Sequence, residues 1–184
     1  MKRYLINLGS IVLLIVSIVL FCVGHKKMQN AKQDMEYSEP SYELTEEDHN
    51  RIEQEIIEEQ KVLLQKRLDE CFKNVLPALI SVESNGDDKA IGDQGMAIGC
   101  LQIHPIMVRE VNRIIGEEKY KLEDRIDRDK SIKMCQIFLH HWSSRLYMKY
   151  GLSEELMARL WNAGSTNVFC PKTDKYWKKI KVKI

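Results

Sequence analysis

One carboxylate, Glu83, stands at the end of a short apolar segment made of Ala78, Leu79, Ile80 and Val82. A carboxyl group ionises near pH 4 in water, and an apolar setting raises its pKa because burial disfavours the charged form. An acid that stays protonated can donate its proton to a leaving oxygen, as glycosidic bond cleavage requires. Taken alone, Glu83 would be read as an ordinary acid at a helix end; together with the motifs described below, the pattern predicts a general acid.

A glycine-spaced stretch follows this acid and ends at Gln102. It contains Gly92, Gly95 and Gly99, and the alternation in "MAIGCLQI" predicts a short strand or hairpin. Glycine lets the backbone approach a bound polymer closely, and it also suits tight turns. We expect the hairpin to form the floor of a groove beside Glu83.

Three motifs together resemble the lytic transglycosylase family and its goose-type lysozyme relatives. Glu83 and Ser84 correspond to the Glu-Ser pair that closes a helix in that family. The Gly-Cys-Leu-Gln run at 99–102 corresponds to its Gly-Leu-Met-Gln hairpin, and the Trp-Asn-Ala-Gly run at 161–164 to its Tyr-Asn-Ala-Gly helix. The likeness covers about Val75 to Gly164, in the family's order.

The resemblance implies a mainly helical, lysozyme-like α+β domain with a small β-hairpin. It implies cleavage of the β-1,4 bond between N-acetylmuramic acid and N-acetylglucosamine in peptidoglycan. Glu83 would first protonate the glycosidic oxygen and then act as base on the sugar's own 6-hydroxyl, giving a 1,6-anhydro-muramyl end. No cofactor and no metal ion are expected for this chemistry.

The resemblance also indicates which residues bind the substrate. Gln102 is expected to present its amide to a sugar acetamido group, and Asn162 to bond the glycan or brace the hairpin. Trp161 replaces a tyrosine whose hydroxyl bonds the acid in the family; an indole offers only an N–H donor and a larger apolar face. The expected substrate-binding set is Ser84, Asp93, Gln102, Ile103, Trp161, Asn162 and Ala163.

Asp93 leaves the chemistry open between a lyase and a hydrolase. In goose-type enzymes a matching aspartate helps to position water, but their second aspartate falls at His104 here. Asp before Gln-Gly also suits a tight turn, which we favour as its role. Two alternatives therefore remain: a hydrolytic muramidase on the same fold, and a wall-binding or assembly component of a secretion, conjugation or phage machine with little turnover.

Metal binding and nucleic-acid binding are not predicted. Neighbouring histidines in "HHW", at 140–142, point to different helix faces, and the chain contains no CxxC pair. Charge is balanced, with 28 basic and 27 acidic residues, which argues against partners recognised by bulk charge. The four cysteines outside the N-terminal apolar run could be buried thiols or disulfides.

The chain divides into five segments by composition. We expect a membrane anchor at 1–24, with residues 4–24 spanning the bilayer, although cleavage as a signal segment is an alternative. A linker at 25–44 and a stalk helix at 45–70 follow, and the anchor should run with its N-terminus inside and the domain outside. The lysozyme-like domain spans 71–170, and a basic tail spans 171–184.

Within the domain, helical spacing predicts four segments. A new helix is expected to begin at Pro77, because proline is tolerated in a first turn. Further helices are expected at 106–115, 129–150 and 153–163. The basic tail is expected to be solvated or to contact an anionic envelope polymer or membrane surface. Tyr176 and Trp177 within it could stack on sugars or pack against the domain.

Overall fold

A computed structural model of the chain describes residues 45–184. The expected anchor and linker, residues 1–44, lie outside this range. Among the described residues, no helix is both long and apolar enough to cross a membrane.

The described chain is mainly helical with one small antiparallel sheet, as the sequence predicts. In the sheet, Ile91 lies opposite Ile98 and Gly92 opposite Ala97. The elements, in chain order, are α1 (Glu46–Ser84), β1 (Ile91–Gly92), β2 (Ala97–Ile98), α2 (Pro105–Ile115), α3 (Arg128–Tyr150), α4 (Glu154–Ala163) and α5 (Pro171–Lys181). This architecture fits a lysozyme-like α+β fold.

The prediction of a separate helix beginning at Pro77 was wrong, because α1 runs through that residue. Proline inside a helix removes one backbone hydrogen bond and normally kinks or ends the helix. Here Pro77 is exposed, whereas Val75, Ala78 and Leu79 on either side of it are buried. Burial of these neighbours in the core stabilises the helix across the proline, so tertiary packing overrides local propensity.

The two halves of α1 have different surroundings. Ile52 and Ile56 in the first half are each 39% exposed, and the first turn is acidic, which suits the positive end of the helix dipole. Burial begins at Leu68 and continues through Phe72 to Leu79. The first half therefore projects from the domain, and the second half forms part of its core.

The three helices predicted after the hairpin are confirmed to within one residue. Asp127 caps α3 by accepting from the Lys130 amide, and Ser153 caps α4 by accepting from the Leu156 amide. The helix α2 begins at Pro105, where the missing N–H costs no helical bond.

The segment predicted as a basic tail contains α5, which packs into the domain. Thr173 and Ile180 are fully buried, while Tyr176 and Trp177 are half-buried and pack on the core. These four positions have the i, i+3, i+4, i+7 spacing of one helix face. The many lysines between them obscure this pattern in the sequence.

Candidate active site

A groove of about 920 Å³ runs across the domain and brings together residues between Glu83 and Thr166. Glu83 shares it with every predicted binding residue except Ser84. The groove is lined by Glu83, Asp93, Ala97, Gln102, Ile103, His104, Ile106, Met107, Glu110, Arg113, Phe138, Trp142, Trp161, Asn162, Ala163, Gly164, Ser165 and Thr166. A cleft of this size can enclose several sugar-sized groups.

Glu83 occupies the last turn of α1, with its carboxylate directed into this groove. Burial raises the pKa of Glu83, and this effect exceeds the opposing influences of Tyr176, Trp161 and Lys179. The Tyr176 hydroxyl donates to Glu83 Oε1 at 2.6 Å. The Trp161 indole also acts on the carboxylate, although only Tyr176 meets the geometry of a full hydrogen bond. The arrangement holds a carboxyl that is both oriented and harder to ionise than usual.

Tyr176 is the site residue that sequence reasoning missed. Burial and the neighbouring Glu83 carboxylate raise the pKa of Tyr176 far above its ordinary value, so it remains a donor. The hydroxyl that we expected to be absent, because Trp161 replaces a tyrosine, therefore reaches the acid from α5. The helical spacing of Tyr176 with Thr173 and Ile180 was the signal that could have found it.

Trp161 is 9% exposed and packs edge-to-face on Phe138, with ring centroids 6.2 Å apart. It lines the groove beside Glu83 and excludes water from one side of the carboxylate. Asn162, the next residue on α4, is exposed at the groove. All four residues of the Trp-Asn-Ala-Gly run line the groove, and their contact with a glycan stays a prediction.

Ser84 connects the end of α1 to the hairpin. Its hydroxyl donates to the Cys100 carbonyl at 2.9 Å and accepts from the Gly86 amide at 3.2 Å. Ser84 does not line the groove. Its position supports a bracing role, because these bonds hold the glutamate-bearing turn against the hairpin.

Gln102 lines the groove in a left-handed backbone conformation, with φ of 49°. Its amide nitrogen donates to the carbonyls of Ala90 at 3.2 Å and Gly99 at 3.0 Å. A Cβ on Gly92 would lie 2.2 Å from the Gln102 amide oxygen, so a larger residue there would displace the Gln102 side chain. Gln102 therefore braces the hairpin, and its contact with an acetamido group remains a prediction.

Asp93 takes part in a turn and also faces the groove. Asp93 and Gln94 have positive φ angles of 45° and 53°, and the Met96 amide donates to the Asp93 carbonyl at 3.0 Å. The Asp93 carboxylate lies 3.5 Å from His104 Nε2. Asp93 therefore has the turn conformation that we expected. Its side chain also meets that of His104, which stands where goose-type enzymes have their second aspartate, in the groove.

Comparison with known proteins identifies the family. The family described as Transglycosylase SLT domain matches residues 65–184, which is more than half of the chain. The chain belongs to this family. Residues 65–184 thus form a lytic transglycosylase catalytic domain, and the family indicates peptidoglycan as the substrate and its degradation as the activity. Searches of curated proteins and of solved structures found no match.

Arg125 locks the hairpin of the SLT domain in place. Its buried guanidinium donates to the carbonyls of Met96 at 2.9 Å and Ile103 at 3.1 Å. A Cβ on Gly99 would lie 1.9 Å from the Arg125 carbonyl oxygen, so the two backbones approach as closely as glycine allows. No sequence motif marks Arg125, because the hairpin carbonyls that it binds belong to residues 22 and 29 positions away.

A second polar cluster of the SLT domain lies where α2 and α3 line the groove. Arg113 donates two hydrogen bonds to Glu110, each of 2.7 Å, and the Trp142 indole donates to the same carboxylate at 3.2 Å. Bonding by Arg113 lowers the pKa of Glu110, so this carboxylate is ionised and cannot serve as an acid. Sequence reasoning considered Trp142 only as part of "HHW" and missed its place in the groove.

The neighbouring histidines of "HHW" pack apart from the groove. His140 packs edge-on against Phe72, with ring centroids 5.6 Å apart. Among residues 45–184, no group of three or more His, Cys, Asp or Glu side chains could hold a metal ion. The cysteines in this range, Cys71, Cys100, Cys135 and Cys170, are free thiols.

Proposed function

We propose that this SLT domain cleaves the β-1,4 bond between N-acetylmuramic acid and N-acetylglucosamine with Glu83 as its only proton-transfer group. The observation that carries the proposal is the setting of Glu83: a raised pKa, a place in the large groove and a hydrogen bond from Tyr176. A protonated carboxyl beside a glycan groove is what the leaving oxygen of a glycosidic bond needs.

The reaction proceeds in two proton transfers at the same carboxyl group. Glu83 first gives its proton to the glycosidic oxygen as the anomeric C–O bond breaks. The resulting carboxylate then accepts the proton of the muramyl 6-hydroxyl, whose oxygen bonds to the anomeric carbon. The product is a 1,6-anhydro-muramyl end, and no water is consumed. Tyr176 stabilises the carboxylate between the two transfers, because its hydroxyl donates to the charged form.

Hydrolysis is the second candidate, and the pairing of Asp93 with His104 favours it. Their side chains approach to 3.5 Å within the groove and could hold a water molecule for attack on the anomeric carbon. The Glu110 carboxylate is less suited to this role, because Arg113 and Trp142 already occupy it. The product distinguishes the two reactions, since an anhydro end is lighter than a reducing end by one water.

We further propose that the domain acts on the outer side of the cytoplasmic membrane. Peptidoglycan lies there, and the apolar run 4–24 is long enough to anchor a chain whose N-terminus stays inside. An anchored enzyme would open the wall locally, as an envelope-spanning machine requires. A wall-binding protein with little turnover is the alternative for the same location.

The test of the catalytic assignment is Glu83→Gln on purified sacculi, with the released muropeptides analysed by mass spectrometry. We expect wild type to release anhydro-muropeptides and the variant to lose at least about 100-fold in rate, because an amide cannot transfer the proton. Glu117→Gln removes an exposed carboxylate outside the groove and should retain wild-type release.

Each component of the proposal has its own contrary result. Undiminished release by Glu83→Gln would remove the glutamate from the mechanism. Reducing muramic ends as the main product would replace the lyase reaction by hydrolysis. Folded wild-type protein that binds sacculi and releases nothing would favour the wall-binding alternative.

A further inference from the structure

The outer face of α5 and the residues just after it carry a dense array of positive charge, of which only Lys179 acts on Glu83. Residues 172–183 contain six lysines against one acid, Asp174. All six lysines are exposed. We call them the basic face: Lys172, Lys175, Lys178, Lys179, Lys181 and Lys183.

The charge of the basic face is not neutralised within the described part of the chain. The ion pairs found there involve none of the six lysines. Asp174 is engaged elsewhere, since its carboxylate accepts from buried Arg159 at 2.7 Å. Closely spaced like charges repel one another, and a bound polyanion would relieve that repulsion.

We propose that the basic face binds a phosphodiester polymer of the cell envelope. Eleven helical residues extend over about 16 Å, so the lysines form a row that can meet successive phosphates of an extended chain. Binding of this kind is driven by the release of counterions. The assignment of the polymer to the cell wall rests on the proposed function. The array of exposed lysines is an observation that does not depend on that function.

The packing of α5 favours a polymer over a lipid bilayer. An amphipathic helix binds a membrane by inserting its apolar face among the lipids. The apolar face of α5 is occupied, because Thr173 and Ile180 are fully buried in the domain and Trp177 packs on the core. Val182 and Ile184 are exposed beyond the helix, but two side chains do not make a membrane-binding face.

The position of α5 connects the polymer to the reaction. Tyr176 projects from this helix to Glu83, and a helix with its side chains is about 10–12 Å across. A polymer held on the outer face would thus lie roughly one helix diameter from the catalytic acid. The basic face would keep the enzyme on regions of the wall that carry the polymer while the groove cuts the glycan.

The test measures binding of fluorescent poly(glycerol phosphate) to the full chain in neutral detergent micelles. A variant with Lys172, Lys175, Lys178 and Lys181 all changed to Gln leaves Lys179 near Glu83 in place. We expect it to bind at least about tenfold more weakly, with the salt slope reduced by about 3, since each of the four lysines lost lowers the slope by about 0.7. Its thermal unfolding midpoint should match that of wild type.

The matched control removes the same charge from other exposed positions, by changing Lys66, Lys73, Lys119 and Lys133 to Gln. Equal loss of affinity in the two variants would reduce the effect to net charge and overturn the inference. A second result would also overturn the inference. It is displacement of the polymer by phosphatidylglycerol in the micelles at a lipid phosphate concentration below the polymer phosphate concentration needed for binding. Sacculus digestion without polymer binding rejects this inference alone, and polymer binding without digestion rejects only the proposed function.

Discussion

At the scale of single residues, the environment of Glu83 balances two opposed effects. Burial raises the pKa of its carboxyl, and the hydrogen bond from Tyr176 lowers it. The proposed reaction requires a group that gives a proton and then takes one back, and the two effects act on that group in opposite directions. Tyr176 acts through Glu83 and is a positioning residue.

Tyr176→Phe should shift the pH dependence of the reaction as well as its rate. Loss of the donor destabilises the carboxylate, so the pKa of Glu83 rises and the acid stays protonated to higher pH. We expect the alkaline limb of the pH–rate profile to move up by about one pH unit, and the maximal rate to fall about tenfold, for a hydrogen bond to a charged group. Rates of muropeptide release between about pH 4 and 9 measure both.

Tyr147→Phe is the control for that substitution, because this half-exposed tyrosine of α3 is not among the groove residues. Tyr147→Phe should leave both the alkaline limb of the pH–rate profile and the maximal rate unchanged. An alkaline limb that stays in place or moves to lower pH in Tyr176→Phe would contradict the assigned role. A fall in rate alone would then indicate a structural contribution.

At the scale of elements, the hairpin depends on close backbone approach rather than on strand length. Each strand has two residues, and the connection is held from outside by Arg125, Ser84 and the Gln102 amide. Such a short hairpin is not stable by itself. Its shape therefore depends on the contacts at Gly92 and Gly99.

Gly99→Ala should destabilise the domain strongly. The new Cβ would meet the Arg125 carbonyl, and the backbone there has φ of +84°. We expect the free energy of unfolding to fall by at least about 3 kcal/mol, from backbone strain and overpacking together. Gly95→Ala is the control, since Gly95 has φ of +89° but no atom within 4 Å of the added Cβ, and it should cost about 1 kcal/mol.

Denaturant unfolding monitored by circular dichroism measures both glycine variants. If the two variants lost similar free energies of unfolding, left-handed backbone strain alone would account for the cost of Gly99→Ala. The Arg125 backbone would then move away from the added Cβ without further cost.

At the scale of the whole molecule, α5 completes the domain, and the first half of α1 does not. The matched family region begins at residue 65 and includes α5. A chain that ends at Cys170 loses buried Thr173 and Ile180 together with Tyr176. We expect its unfolding midpoint to fall by about 10 °C or more, and its digestion of sacculi to be lost.

The opposite truncation gives the contrast. Removing residues 46–60 deletes helical turns that are mostly exposed and stops before the first buried position, Leu68. Calorimetry should find a midpoint within about 2 °C of the untruncated protein. A larger fall for this truncation than for the loss of α5 would mean that the stalk, rather than the C-terminal helix, supports the core.

The parts of the site that could be predicted from the sequence are those determined by residues close together in the chain. Glu83, Gln102 and Trp161 lie in the groove as expected, since each belongs to a motif whose backbone setting is determined over a few residues. The three later helices were predictable because their capping residues and apolar spacing are local. Pro77 was misjudged because its neighbours are stabilised by contacts with other helices, which the local sequence does not contain.

The sequence by itself determined the family, the glycine positions and the helical character of this protein, and it singled out Glu83 as the candidate acid. Only the tertiary structure decided which hydroxyl meets Glu83, what holds the hairpin, and that residues 171–181 are part of the domain. The physical reason is distance along the chain. Tyr176 and Glu83 are 93 residues apart, and such a contact arises from the packing of whole helices, which no local pattern encodes.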